Sequence, residues 1–254
     1  MNDNALSSAS VPGIRIIADD RPWSWLQAGW QDLTRIPGVS LAYGAGFVAA
    51  GYLLSFLLWR ADGFYLVLPL AGGFLLVAPF AAVGLYDASR RLQSGEPVSL
   101  TGALLAWRRP LQVASFGLIL LLLHFAWMRV ALLWFVLYFH GGTPALDKLP
   151  LFLIEAQNLP FLVIGTLIGG VFAAITFAIS VISLPLLLDR DIDVISAILL
   201  SLRAVFNNPK AMLLWAGLIT LFTAVGLATF FFGLGLLFPL VAHASWHAYR
   251  DVVE

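Results

Sequence analysis

Charged residues are scarce in this chain. Only 11% of its 254 residues are Asp, Glu, Lys or Arg, whereas 61% are hydrophobic. Soluble domains carry about 25% charged residues, which cover the surface that faces water. The shortage excludes a soluble globular protein and indicates that lipid is the solvent for most of the chain. The formal net charge is zero and no long basic run is present, so nucleic acid is not an expected partner.

Cysteine is absent, which excludes disulfides, thiolate metal sites, iron–sulfur clusters and cysteine nucleophiles. The chain also lacks the phosphate-binding pattern GxxxxGK[ST] and the GxSxG pattern of serine hydrolases. The long apolar runs contain no paired carboxylates of the kind that relay protons. We therefore predict no catalytic residue, and the sequence identifies no cofactor.

Long runs without charge predict an all-α, polytopic membrane bundle of about six spans. Four spans are predicted at residues 38–59, 64–86, 111–139 and 161–188. The uncharged run from Ala211 to Ala242 would form one helix about 48 Å long, which exceeds a hydrocarbon core of about 30 Å. We predict that it folds back as two spans, with a tight turn at Gly233 and Gly235.

Three short helices are predicted ahead of three hairpins of spans, at residues 21–36, 98–109 and 194–206. Each ends in nine residues that begin with a small residue, include arginine and close on proline: residues 29–37, 102–110 and 201–209. The second span of each hairpin carries a late proline and then meets aspartate. This order predicts a threefold repeat of interfacial helix plus hairpin. The alternative is that membrane hairpins generally place Pro, Arg and Asp at interfaces.

The chain is predicted to have one transmembrane domain, residues 21–254, behind a flexible tail at residues 1–20. Most of the 14 basic residues fall on one predicted side of the membrane. Arg60 and Lys148 fall in the opposite loops, and Arg129 lies within a span. The positive-inside rule then places both termini and the interfacial helices on the cytoplasmic side of a bacterial inner membrane.

His243 and His247 are the candidate metal ligands. They lie four residues apart, so a helix would present both imidazoles on one face. No carboxylate lies between them as in the HExxH zinc motif. The alternative is an interfacial belt with Trp246 and Tyr249, in which the polar tips meet water and lipid headgroups.

His124, Arg129 and Glu155 are the polar intramembrane candidates, because ionisable groups inside spans are costly and often functional. The alternative is a structural one, in which Arg129 reaches the membrane face or pairs with Glu155. Small residues also recur along the fourth span. This spacing predicts that a neighbouring helix backbone approaches closely there; the residues are Gly165, Gly169, Gly170 and Ala173.

The C-terminal stretch 237–251, with Pro239 and the sequence His-Ala-Ser-Trp-His-Ala-Tyr-Arg-Asp, resembles the bacterial family of domain of unknown function 2189. The helix at residues 23–32 and the Asn-Asn-Pro junction at 207–209 are similar to it too. The resemblance implies a multi-span inner-membrane protein without an established activity. Some members are labelled as cytochrome c oxidase subunits, but this chain has fewer spans and fewer histidines than the haem–copper subunit.

The leading hypothesis is therefore a non-enzymatic accessory, assembly or lipid-organising protein of the inner membrane. Its expected partners are membrane lipids and a second membrane protein. One alternative is a haem- or metal-binding respiratory accessory protein that uses His243 and His247, with His124. The other is a transporter of a lipid or small molecule, which requires a cavity that reaches the interior of the membrane.

Overall fold

The computed structural model describes residues 12–61, 73, 78–106, 110–139, 155 and 158–254. These residues form helices and no strand, and the one bridge between extended segments joins Ile14 to Val253. The prediction of an all-α protein is confirmed. The helices are α1 (Arg21–Arg35), α2 (Pro37–Arg60), α3 (Val83–Ser94), α4 (Leu100–Leu104), α5 (Pro110–Tyr138), α6 (Leu159–Ser180), α7 (Ser183–Asp189), α8 (Val194–Asn207), α9 (Pro209–Ala228) and α10 (Leu234–Val252).

Four helical segments of the described chain are long and apolar enough to cross a membrane: Pro37–Arg60, Leu111–Tyr138, Leu159–Asp189 and Pro209–Ala228. The third of these is α6 followed by α7, with an interruption at Val181 and Ile182. Most of the predicted second span, 64–86, lies outside the described residues. Helix α10 is not among the four, since its C-terminal half is polar. The chain is therefore an integral membrane protein with several apolar helices, and the six spans stay a prediction.

Proline marks the junction between short helix and span. Pro37 begins α2 directly after α1, and Pro209 begins α9 directly after α8. Proline suits the first helical turn and pushes the residue before it away from helical backbone angles. The preceding residues share one conformation, φ −127° and ψ 54° at Ile36 and φ −128° and ψ 53° at Asn208. These two junctions agree with the predicted repeat. The third, at Pro110, follows residues outside the described part of the chain.

The terminal run is a hairpin, as predicted, because α9 ends at Ala228 and α10 begins at Leu234. The glycines do not supply the turn backbone, however, since Gly233 has φ −61°. The left-handed residues are Phe230 (φ 53°) and Phe231 (φ 68°), which is strained for aromatic residues. Tyr52 of α2 holds them, because its hydroxyl donates to the Phe230 carbonyl at 2.7 Å and its ring packs edge-on against Phe231.

Helix α10 is the centre of the fold and packs against α1, α2, α3, α7 and α9. Its C-terminal half is almost entirely buried. Two glycines let neighbouring backbones approach it. A Cβ at Gly29 of α1 would lie 2.7 Å from the Ala244 amide nitrogen, and one at Gly44 of α2 would overlap the Gly235 carbonyl. Both glycines are therefore required by close helix contact.

The segment before α1 is held against the end of the chain. The Arg15 amide donates to the Val252 carbonyl at 2.9 Å, and the Glu254 amide donates to the Gly13 carbonyl at 3.1 Å. The Asn208 side chain adds bonds to the backbone of Arg15 and Ile17. Within the predicted tail of residues 1–20, residues 13–15 thus pair with the C terminus and Ile17 is bonded to Asn208, while residues 1–11 lie outside the described part of the chain.

Candidate functional site

A buried polar cluster lies where α10 meets α1, α2 and α3. We define it as the buried residues Asp32, Ser40, Ser89 and His243, together with half-buried His247 and exposed Gln93 at its edge. At its centre His243 is fully buried, with Nε2 hydrogen-bonded to the Ser40 hydroxyl at 2.9 Å and Nδ1 to the Ser89 hydroxyl at 2.7 Å. His243 lies outside the four apolar spans. Burial lowers the pKa of His243 to about 4, and nearby Asp32 opposes this shift only in part. The imidazole is therefore neutral at neutral pH.

His247 occupies the outer edge of the buried polar cluster. Its Nε2 lies 2.8 Å from Asp32 Oδ2, and its Nδ1 lies 3.3 Å from the Gln93 amide nitrogen. The Gln93 carbonyl oxygen in turn accepts from the Trp246 indole at 3.0 Å. This chain of bonds gives each ring nitrogen of His247 a polar partner, a carboxylate oxygen at Nε2 and an amide nitrogen at Nδ1. The cluster ties α1, α3 and α10 together.

The two histidines predicted as metal ligands therefore already have hydrogen-bond partners on both ring nitrogens. In the described part of the chain, no group of three or more His, Asp or Glu side chains is placed to hold a metal ion. A metal at His243 would first have to displace Ser40 or Ser89. The alternative prediction of an interfacial belt is wrong for His243, Trp246 and Tyr249, since each is at most 1% exposed. Packing against α1 and α3 buries this face of α10.

The intramembrane candidates lie elsewhere. His124 is on α5, where its ring stacks at a tilt against Trp127 with centroids 5.6 Å apart and also meets Gly73. Its buried Nδ1 has no hydrogen-bond partner among the described residues. Arg129 is exposed on the same helix, and Glu155 is exposed and accepts from the Asn158 amide at 3.2 Å. The pairing of Arg129 with Glu155 stays a prediction.

A cleft of about 930 Å³ opens between α6 and α9. Its mouth is formed by exposed residues of two membrane-spanning helices, including Thr166, Gly170, Gly217 and Leu221. Its floor is formed by buried residues of α3, α6 and α10. Ligand pockets for single small molecules typically measure about 300–1,000 Å³, so the cleft has room for one lipid-sized molecule.

Gly169, Gly170 and Ala173 of α6 line this cleft, and the three glycines of the pattern make no close backbone contact, so the prediction of a close helix approach there is wrong. A Cβ at Gly170 of α6 or at Gly217 of α9 would meet no atom within 4 Å. One at Gly165 or Gly169 would meet only indole atoms, at 3.7 Å or more. Glycine at these positions keeps space open. The close backbone contacts that such residues were expected to make occur instead at Gly29 and Gly44.

The floor of the cleft carries hydroxyl groups. Thr176, Ser180, Tyr86 and Ser245 all line it and are at most 6% exposed. Tyr86 is hydrogen-bonded to Ser245. The Thr176 hydroxyl has no partner among the described residues. Because an unsatisfied buried hydroxyl costs about 1–3 kcal/mol, Thr176 is the polar group in this floor most in need of a ligand.

The hydroxyls lie at the end of the cleft that is near the buried polar cluster. Thr176 is about 26 Å along the α6 axis from Leu159, and Ser245 follows His243 by two residues. Sequence reasoning missed all four of these residues. The available signal was the alternation of glycine with threonine and serine along one face of α6, from Thr166 to Ser180, which was interpreted as helix packing alone.

Residues 67–189 match a family model described as "Predicted integral membrane protein (DUF2189)". This region belongs to the DUF2189 family. The match includes α3, α4, α5, α6 and α7, and hence the α6 wall of the cleft with Thr176. The resemblance noted from the sequence is thereby confirmed for these residues. Neither a curated protein nor a solved structure matches the chain. The DUF2189 description gives membrane integration and names no activity.

Proposed function

We propose that this DUF2189 protein is a lipid-organising protein of the bacterial inner membrane, which takes one lipid molecule from the bilayer into the cleft. The observation that carries the proposal is the cleft itself, an apolar space of about 930 Å³ whose mouth lies between two membrane-spanning helices. An apolar chain can enter from the hydrocarbon core through this mouth without crossing a polar surface. The function is non-enzymatic in this proposal, with membrane lipid as the partner.

The chemistry of the lining supports a lipid occupant. Ligand sites are mostly apolar with a few convergent polar groups, and here the described lining residues are apolar except for hydroxyls and one indole. Glycines at the mouth leave room for a chain to lie against the backbone of α6 and α9. An apolar cleft between α6 and α9 also supports the transporter alternative, which requires a cavity that reaches the interior of the membrane.

The proposal that the cleft binds lipid is tested by filling the cleft with larger side chains. The double variant Gly170→Leu and Gly217→Leu places two side chains in the open space at the mouth. Full-length protein, solubilised from membranes with a mild detergent, is analysed for bound lipid by native mass spectrometry. We expect the double variant to retain about tenfold less lipid than the native protein, a loss of about 1.4 kcal/mol in binding.

Gly46→Leu is the matched control. Gly46 of α2 is exposed, a Cβ there also meets no atom within 4 Å, and it does not line the cleft. This variant should retain lipid at the native level. Equal lipid on the native protein and on the double variant would show that the retained lipid lies outside the cleft, and the proposal would be abandoned.

The haem- or metal-binding alternative requires that His243 exchange one of its hydrogen bonds for a bond to the metal. Ligation there requires the loss of the 2.9 Å bond to Ser40 or the 2.7 Å bond to Ser89. An absorption spectrum with a Soret band, or a stoichiometric metal content that His243→Gln removes, would favour that alternative over the lipid proposal.

A further inference from the structure

We infer that the cleft selects a neutral lipid, one whose polar end is a hydroxyl or carbonyl group, and that Thr176 hydrogen-bonds to that end. This inference rests on the proposed function and specifies its ligand. Three observations support it: the state of the Thr176 hydroxyl, the absence of charge among the described lining residues, and the position of the hydroxyls relative to the mouth.

The Thr176 hydroxyl differs from those of Thr220 and Ser245, which also line the cleft. Threonine and serine in helices usually donate to a carbonyl one turn earlier. Thr220 does so to Ala216, and Ser245 to Val241, both at 2.8 Å. Thr176 is 2% exposed, and its Oγ1 has no such bond among the described residues. In this inference, a molecule in the cleft supplies the missing partner.

The lack of charged residues in the lining excludes a lipid with an ionic head group. No Asp, Glu, Lys, Arg or His is among the described residues that line the cleft. A phosphate buried there would lack a cationic partner, and burial of an unpaired charge is costly. Arg90, one turn beyond Tyr86 on α3, is bound to Asp87 at 2.8 Å and to Glu96 at 2.9 Å. It is already neutralised by these carboxylates. An uncharged hydroxyl or carbonyl meets no such penalty.

The geometry also orients the lipid. The open space beside Gly170 and Gly217 lies at the mouth, whereas Thr176 lies on the buried floor near Tyr86 and Ser245. A neutral lipid therefore enters head first, with its polar end on Thr176 and its chains directed towards the bilayer. A phospholipid in the same cleft would have to leave its charged head outside.

The test uses photoactivatable lipids in bilayers of phosphatidylethanolamine and phosphatidylglycerol that contain the full-length protein. One arm carries a photoactivatable diacylglycerol, which offers a hydroxyl. A second carries a photoactivatable prenyl quinone, which offers carbonyls, and a third carries photoactivatable phosphatidylglycerol. We expect a neutral probe to label peptides of α6 and α9 more strongly than the phosphatidylglycerol probe does. Labelling by only one neutral probe supports the inference and identifies the polar end.

Thr176→Val removes the hydroxyl while keeping the side-chain shape. We expect it to reduce labelling by the neutral probe by about 2- to 10-fold, the effect of one lost hydrogen bond. Thr220→Val is the matched control, because Thr220 lines the same cleft but its hydroxyl is already bonded to Ala216. This control should be labelled at the native level. Thermal unfolding confirms that both variants are folded before labelling is compared.

The outcomes separate this inference from the proposed function. Equal labelling of the cleft by phosphatidylglycerol, or unchanged labelling of Thr176→Val, overturns the neutral-lipid inference and leaves lipid binding in place. If the double variant Gly170→Leu and Gly217→Leu leaves labelling by all three probes unchanged, the proposed function is overturned as well. The probes would then be reporting contact with the outer surface of the protein.

Discussion

The regions around His243 and His124 show opposite relations between polarity and burial. Around His243 on α10, polar side chains such as Ser40 and Ser89 are fully buried. Around His124 on α5, leucines face outwards, and the most apolar window of that span is only 11% buried. Lipid explains the difference, because it solvates leucine as well as the protein interior does. Burial in this protein therefore follows polar contacts and small residues more than hydropathy.

The largest expected effect on stability comes from the removal of a buried carboxylate. Asp87 is fully buried and accepts from Arg90 at 2.8 Å and from Arg91 at 2.6 Å. Asp87→Ala leaves the buried Arg90 without this partner, so we expect a loss of about 3–5 kcal/mol in the free energy of unfolding. Thermal unfolding in detergent, followed by tryptophan fluorescence, measures it.

The exposed pair between Lys210 and Asp19 provides the control for Asp87. Both side chains are more than 60% exposed. Asp19→Ala should therefore cost under about 1 kcal/mol. If Asp87→Ala proved as mild as Asp19→Ala, the buried ion pairs would not contribute to the stability of this region.

Two leucines on α5 allow a buried and a lipid-facing position to be compared within a single helix. Leu120 is 1% exposed and Leu122 is 59% exposed. Leu120→Ala should cost about 2–5 kcal/mol, since it leaves a cavity in the core. Leu122→Ala should change stability by less than about 0.5 kcal/mol, because lipid fills the space. Equal losses in thermal stability would show that both leucines are covered, and that α5 has a protein partner on its outer face.

The smallest expected effect is a pH dependence. His243 has a folded pKa of about 4, below the ordinary 6.5, so the unfolded chain binds the extra proton between these values. Stability from this group therefore falls as the pH drops below about 6.5. The loss between about pH 7 and pH 5.5 should be about 1 kcal/mol.

His243→Gln lacks the titrating group and isolates this contribution. Its thermal stability should fall less than that of the native protein over the same pH range, whatever its stability at neutral pH. Parallel pH profiles for the two proteins would mean that His243 does not stay neutral in the fold.

Sequence reasoning predicted the class of fold because charge composition and run length report directly on solvent. It also located the proline junctions at Pro37 and Pro209, since proline restricts its neighbours in any context. The cleft was missed because glycine on a helix face fits two opposite situations, a close backbone contact and an open space. Gly29 is an example of the first and Gly170 of the second, and only the position of the neighbouring helix distinguishes them.

The histidines illustrate a second limit of prediction from sequence, which is that contacts between distant residues are not visible in it. Their spacing correctly placed His243 and His247 on one helix, yet it carried no information about Ser40, Ser89 and Asp32, which are remote in sequence. The same holds for the aromatic residues beside them. Trp246 and Tyr249 have the composition of an interfacial belt, but contacts with Gln93 and Asp189 bury them. Long-range packing decided their role.

The pairing of α1 with α10 has a consequence for biogenesis. Arg21 and its partner Asp251 are separated by 230 positions. At about 5–20 residues per second, a ribosome needs roughly 10–50 s to travel between them. Throughout that interval α1, with Trp25 and Asp32 on its inner face, has no α10 to cover it. Of these two partners, α1 thus leaves the ribosome first but cannot complete its packing until α10 has been made.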